Sequence, residues 1–245
     1  MAAGSTTSSL ALAAGGGIAG IFAVMAVVAI VGGIFGWRAQ QKRLLALRLW
    51  AAASGLTYAP GRDGRLPSSF AQFGCFQSGS QRYAANVMTG RRGERAVTCF
   101  DHHYETYSTN SKGQRTTHHH WSSNVVLDVG FPLSPLTIRS ESWFDKVAGA
   151  FGFDDIDFES NEFSREFHVK AKDRRWAYDV IHTEVMEVLL ASPRFHVEMA
   201  GHHLLVRRGT RFDAATYGQA LELGTALLDA LPKDLVRERR SLGGV

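Results

Sequence analysis

Five histidines in two groups are the side chains of this chain best suited to chemistry: His102 and His103, then His118, His119 and His120. Imidazole is a common zinc ligand and the side chain most ready to exchange a proton near neutral pH. The two groups flank a polar stretch, Ser108 to Thr116 (STNSKGQRT). If a hairpin turns about Lys112, residues whose numbers sum to about 224 oppose one another. That sets His103 against Trp121 or His120 and brings two or three imidazoles within reach of one ion. Three things weigh against a metal. Neighbours along a strand point to opposite faces, an exposed and mobile loop is a poor frame, and no carboxylate is fixed as an outer partner. The hairpin therefore reads as polar and partly exposed, and no metal is assigned to His102, His103, His118, His119 or His120.

The remaining chemistry is sparse. No phosphate-cradling glycine loop ending in Lys-Ser or Lys-Thr, no G-x-S-x-G elbow, no H-E-x-x-H and no C-x-x-C occurs. Asp154, Asp155, Asp157, Glu159 and Glu162 lack the glycine and ligand spacing of a calcium loop and read as a solvated strand and turn. Cys99, beside Phe100 and Asp101, reads as a small packing residue rather than a nucleophile. With Cys75 it makes only two cysteines, far apart, which fits reduced thiols better than a bridge. The sequence calls for no cofactor and no catalytic residue.

The elements that must hold the histidines are strands. Tyr83 to Met88, Ala96 to Tyr107 and Trp121 to Val129 have the β-branched and aromatic content of strands, with TGRRGE as the glycine-bearing turn between the first two. PLSPL (residues 132 to 136) interrupts, and Trp143 to Phe151 reads as a short amphipathic helix. Phe70, Phe73 and Phe76 are spaced as core anchors. Asp173 is placed to cap one helix and Thr183 a second, and Asp213 opens a third whose Tyr217, Leu221, Gly224, Leu228 and Leu231 form a buried face ended by Pro232. Phe195 to Met199 and His203 to Arg207 read as a hairpin across Ala200-Gly201-His202. Within this part, Phe163, Phe167, Val169, Ala177, Met186 and Leu190 are the expected core.

The address of the domain comes from the N-terminal stretch. Residues 18–37, IAGIFAVMAVVAIVGGIFGW, carry no charge, and about 20 such residues suffice to cross a hydrocarbon core of ~30 Å. Arg38, Lys42, Arg43 and Arg48 follow directly, whereas residues 1–37 contain no Lys, Arg, Asp or Glu. Positive flanks stay on the cytoplasmic side, so the N-terminus is expected outside and the domain in the cytoplasm. A cleaved signal peptide would carry its basic residues ahead of the apolar core. Gly16 with Gly20, and Gly32 with Gly36, have the spacing of helix-packing glycines. The two pairs fall on nearly opposite faces, so a homodimer through the membrane helix would use one pair only.

Charge bounds the partners. The net charge is +4, and the juxtamembrane residues and the tail from Lys233 to Arg240 supply more than all of it, leaving the folded part slightly acidic. That excludes a nucleic-acid binder, which needs a basic face on the domain. Arg38, Lys42, Arg43 and Arg48 are instead the lipid-proximal set, suited to anionic lipid. The expected organisation is a disordered lead over 1–17, the span over 18–37 and a helical stalk over 38–55 with Leu45, Leu49 and Ala52 on one stripe. An α+β domain with a mainly antiparallel sheet then fills 56–232, before a basic tail over 233–245.

Ile156-Asp157-Phe158-Glu159-Ser160, Phe163, Phe167-His168-Val169, Asp173, Ala177 and Met186-Glu187 ahead of Leu189-Leu190 resemble the C-terminal half of a widespread family of bacterial membrane-anchored proteins of unknown function. The match covers about residues 150–210 and is looser over 70–140. What the resemblance implies is an anchor and a cytoplasmic α+β domain, without an activity, cofactor or site residue. The expected role is non-enzymatic: an interaction or scaffolding module contacting the bilayer and another membrane or envelope-associated protein. The alternatives are a metal-dependent hydrolase using the histidine hairpin and an anionic-lipid-binding module using the basic stalk.

Overall fold

The computed structural model describes residues 8–140 and 156–243 of the chain, so the expected helix at Trp143 to Phe151 and two of the acidic residues, Asp154 and Asp155, lie outside the described residues. Helix α1 runs from Ser8 to Ala53. Its stretch Val24–Ala53, 30 residues, is long and apolar enough to cross a membrane. Val24, Val28, Ile30, Ile34, Phe35 and Trp37 are exposed, which is what a lipid-facing helix requires and a core helix forbids. The chain divides into two compact units between Ala46 and Leu47.

The second unit is an α+β domain on a six-stranded antiparallel sheet. Strands β1 (Leu56–Asp63), β2 (Ser80–Arg92), β3 (Arg95–Thr109) and β4 (Arg115–Ser140) follow one another as neighbours. β4 is the spine. Leu127 pairs with Val97 of β3 on one edge and with Leu204 of β6 (His196–Arg208) on the other. Leu136 pairs with Ala171 of β5 (Phe167–Ala171) and Met199 of β6, so β3 and β5 share one edge while β6 occupies the other.

Alternation along these strands fills both faces. Cys99, Val125, Leu127, Leu204 and Val206 face one core; Phe100, Val126 and Leu205 face a second. The second core is closed by Phe70 and Phe76, carried on two short 3₁₀ turns (Leu66–Phe70 and Gly74–Phe76) between β1 and β2, and by Phe73 in the link between the turns. The first is closed by α5 (Ala214–Asp229), α2 (Asn161–Glu166), α3 (Arg174–Val180) and α4 (Thr183–Ala191). Asp173 and Asp213 cap α3 and α5 through the amides of Trp176 and Thr216, at 3.2 and 2.8 Å. Gly224 lets α5 lie down on the sheet: a Cβ there would stand 2.7 Å from Leu127 Cδ1.

Several elements depart from the sequence reading. PLSPL does not interrupt β4; its register shifts between Asp128, Leu133 and Leu136, and bulges of this kind accommodate Pro132 and Pro135, which lack an N–H for the ladder. The expected hairpin at Ala200 to His202 is one strand, because β6 bends at Gly201 (φ 59°) to follow the bulged β4. The loop over Ser108 to Thr116 shrinks to residues 110–114, tied by Asn110 Oδ1, which accepts from the amides of Lys112 and Gln114 at 3.0 Å. Leu47 and Ala51 are the buried residues of the last turns of α1 and Trp50 stacks on Tyr217 at 5.7 Å, whereas Leu45 and Leu49 are exposed. Those last turns thus belong to the folded unit. α4 buries Val185 and Leu189, with Met186 and Leu190 at its rim, and starts at Thr183 after His182 without a side-chain cap. The tail is helical as α6 (Lys233–Gly243), with Arg239 4.3 Å above Trp176.

Phe163, Phe167, Val169 and Ala177 are buried as expected, and Phe163 stacks on Phe167 at 5.1 Å. Phe167→Ala is expected to cost about 3–5 kcal/mol. Chemical denaturation of the variant measures it, and an unchanged midpoint would contradict the packing described.

Candidate functional site

The β3–β4 hairpin brings the histidines together by register. His103 pairs with Trp121, Tyr104 with His120, Glu105 with His119 and Thr106 with His118. Alternation then sorts them onto two faces. His102 is buried against Phe76 (5.1 Å) and Tyr104, and Tyr104 stacks on His120 at 4.6 Å. His120 Nε2 meets Thr106 Oγ1 at 2.7 Å and His118 Nε2 meets Ser108 Oγ at 2.8 Å. Those three histidines do not join the other pair.

On the opposite face, His103 Nε2 lies 3.2 Å from His119 Nδ1, which in turn lies 3.4 Å from Glu105 Oε1. One donor atom from each of His103, Glu105 and His119 falls within 4.8 Å of the others. The surroundings are graded. His103 is buried between Tyr83, stacked at 4.6 Å, and Trp121 at 4.8 Å, while the side chains of Glu105 and His119 are 18% and 58% exposed. Burial pushes the His103 imidazole below its ordinary value, so at neutral pH it is uncharged. His103 Nδ1 faces the carbonyl of Gln81 at 3.4 Å and must be the protonated nitrogen there, which leaves the Nε2 lone pair aimed at His119. That carbonyl is presented by a bulge in β2 where Gln81 has φ 50°, a left-handed backbone unusual outside glycine. Glu105 was not singled out from the sequence. Its signal was present, since the numbering that opposes His103 to Trp121 also opposes Glu105 to His119.

Two buried polar clusters lie elsewhere in the sheet. Asp101 Oδ1 accepts from Ser123 Oγ (2.5 Å) and Tyr217 OH (2.9 Å), and Oδ2 accepts from Asn86 Nδ2 (2.8 Å). Ser123 Oγ also accepts from the Phe212 amide at 2.8 Å, so this hydroxyl is committed to structure and is no nucleophile. On the phenylalanine face, Glu198 Oε1 accepts from His196 Nε2 (2.6 Å) and Arg207 Nε (3.2 Å). Cys75 and Cys99 are free, and burial raises the Cys75 thiol to about 12 and that of Cys99 further, so neither supplies a thiolate. A surface groove of about 610 Å³ is lined by Arg91, Arg92, Arg95 and Arg240 together with Glu94, Asp128 and Asp229, and Arg95 pairs with Asp229 at 2.7 Å. The lipid-proximal residues Arg38, Lys42 and Arg48 are exposed on α1, and Arg43 is half-buried.

Fold and site together define a class: an α+β domain on an antiparallel sheet, preceded by an apolar helix of membrane-spanning length. Among solved structures, the crystal structure of the mycobacterial trehalose monomycolate transport factor A, TtfA, is similar to this chain. The TM-score is 0.57 and the identity 12%, over 76% of this chain and 92% of that one. No protein-family profile and no curated protein matches the chain.

Proposed function

We propose that this chain is a single-span membrane protein whose α+β domain lies in the cytoplasm and serves as a non-enzymatic interaction module for another membrane or envelope-associated protein. The observation that carries the reading is α1, whose apolar stretch is exposed and is followed by Arg38, Lys42, Arg43 and Arg48. The buried hydroxyl, thiols and carboxylates of the domain are committed to packing and hydrogen bonds, which suits a module that binds rather than turns over a substrate. Shared fold with a transport factor supports an envelope-transport setting. The basic flank of Arg38, Lys42, Arg43 and Arg48 favours a secondary contact with anionic lipid headgroups.

The test is isolation of the full chain from native membranes in mild detergent, followed by mass spectrometry. One membrane or envelope protein at a near-equimolar ratio is the expected result. A chain recovered alone, from the soluble fraction, would contradict the reading.

A further inference from the structure

We propose that His103, Glu105 and His119 form a binding site for one divalent transition-metal ion of the zinc class, with a coordination position left open to solvent. The inference stands apart from the tethered-module reading, which is decided by localisation and partner.

The spacing of the donors fits such an ion. With metal–ligand bonds of about 2.0–2.1 Å, the edge of a zinc tetrahedron is about 3.3 Å. Two donor separations, 3.2 Å between His103 Nε2 and His119 Nδ1 and 3.4 Å between His119 Nδ1 and Glu105 Oε1, bracket that edge, and the third pair lies within 4.8 Å. Two imidazole nitrogens and a carboxylate oxygen are a donor set suited to zinc and its neighbours in the first transition row, and poorly matched to calcium or magnesium, which take oxygen.

Outer contacts orient two of the three ligands, as they do in established metal sites. His103 donates from Nδ1 to the Gln81 carbonyl, which fixes the tautomer that frees Nε2. Tyr107 OH donates to Glu105 Oε2 at 2.9 Å, leaving Oε1 turned toward His119. Tyr107 is itself covered by Arg115, 3.5 Å above its ring, across the tight turn that closes the hairpin. Tyr83 and Trp121 wall the inner side, so the ligands sit on a rigid double strand and not on a loop.

In the metal-free protein the Nδ1–H of His119 donates to His103 Nε2, and Glu105 Oε1 lies 3.4 Å from the same nitrogen. A divalent ion takes the place of that proton, and His119, whose side chain is 58% exposed, then carries its proton on Nε2. No net proton need leave the protein. The ion would join β3 to β4 across the His103–Trp121 and Glu105–His119 pairs, which are successive on one face of the hairpin.

The experiment uses the full chain in detergent, purified through a tag without histidine and stripped of metal. Zinc is titrated against a chromophoric chelator, and cobalt(II) reports the ligand field by its visible absorption. One zinc per chain with a submicromolar dissociation constant is expected, together with the intense visible bands of four-coordinate cobalt. His119→Ala and Glu105→Gln, both at accessible positions, should each weaken zinc by at least about tenfold, and Tyr107→Phe by a smaller factor. Melting of the metal-free variants checks that the fold is retained. His118→Ala and His120→Ala lie on the other face and should leave affinity unchanged. Equal weakening by His118→Ala or His120→Ala would reveal adventitious binding to the histidine run and overturn the site. Zinc binding that survives both His119→Ala and Glu105→Gln, or no binding by the wild-type chain, would overturn it as well.

Discussion

Replacing Asp101 by alanine is expected to cost about 3–5 kcal/mol of stability. The carboxylate is fully buried in the middle of β3, and three donors from three other elements converge on it: Asn86 from β2, Ser123 from β4 and Tyr217 from α5. Each donor left without its acceptor in the core costs about 1–3 kcal/mol, and Ser123 and Tyr217 are themselves fully buried. Tyr58 OH donates to Asn86 Oδ1 at 2.8 Å, so the disturbance spreads to β1. Asp101→Asn keeps the shape and two acceptor lone pairs, and its loss should be roughly half as large. Denaturant melts of the three proteins decide. An Asp101→Ala domain as stable as wild type would show that the network is peripheral to the fold.

Acid should destabilise the domain well before its surface carboxylates protonate. Burial lowers His196 to about 4, and the Arg207 guanidinium beside it acts in the same direction against the partial compensation of Glu198; Arg139 also disfavours its protonation. Burial likewise lowers His102 to about 4, helped by His103, Arg207 and Arg82. Between pH 6.5 and 4 the unfolded chain therefore binds more protons than the folded one at both sites, and stability falls as pH falls. The loss is about 2 kcal/mol per imidazole by pH 5. Burial pushes the Glu198 carboxyl up, but the His196 N–H and the Arg207 guanidinium hold it at about 2. Its own contribution is intact above about 4.5 and is lost only toward pH 2, so it does not mask the histidine window. Melts at pH 7.5 and pH 5 measure the effect, and His196→Gln should flatten the slope by about half. Equal stability at the two pH values would contradict burial of both rings.

These two clusters show what the sequence could and could not convey. β-Branched and aromatic content marked the strands, the three phenylalanines at regular spacing marked one core, and Asp173 and Asp213 announced their helices. Such signals are local, and local geometry decides them. The centre of the sheet was less legible because its cause is tertiary. PLSPL looks like a break until bulges in β4 are seen to absorb its prolines, and Ala200-Gly201-His202 looks like a turn until β6 has to follow that bend. In α1, both Leu45 with Leu49 and Leu47 with Ala51 satisfy helical spacing, and only the position of α5 selects the second pair. The histidine hairpin falls between the two cases. Its register was legible from the turn, but the partnership of Glu105 required the hairpin to stay paired out to Thr109 and Arg115, which the polar composition of that stretch conceals.

The most direct measurement of the central claim is the side of the membrane on which the domain lies. No Lys, Arg, Asp or Glu stands before the span and four basic residues follow it, and retention of a positive flank is the ground on which the domain is proposed to be cytoplasmic. A reporter that fluoresces only in the cytoplasm, fused after Val245, should light up, and one that functions only outside should stay silent. Activity of the outside reporter with a dark cytoplasmic one would contradict the account and would place Cys75 and Cys99 in an oxidising compartment.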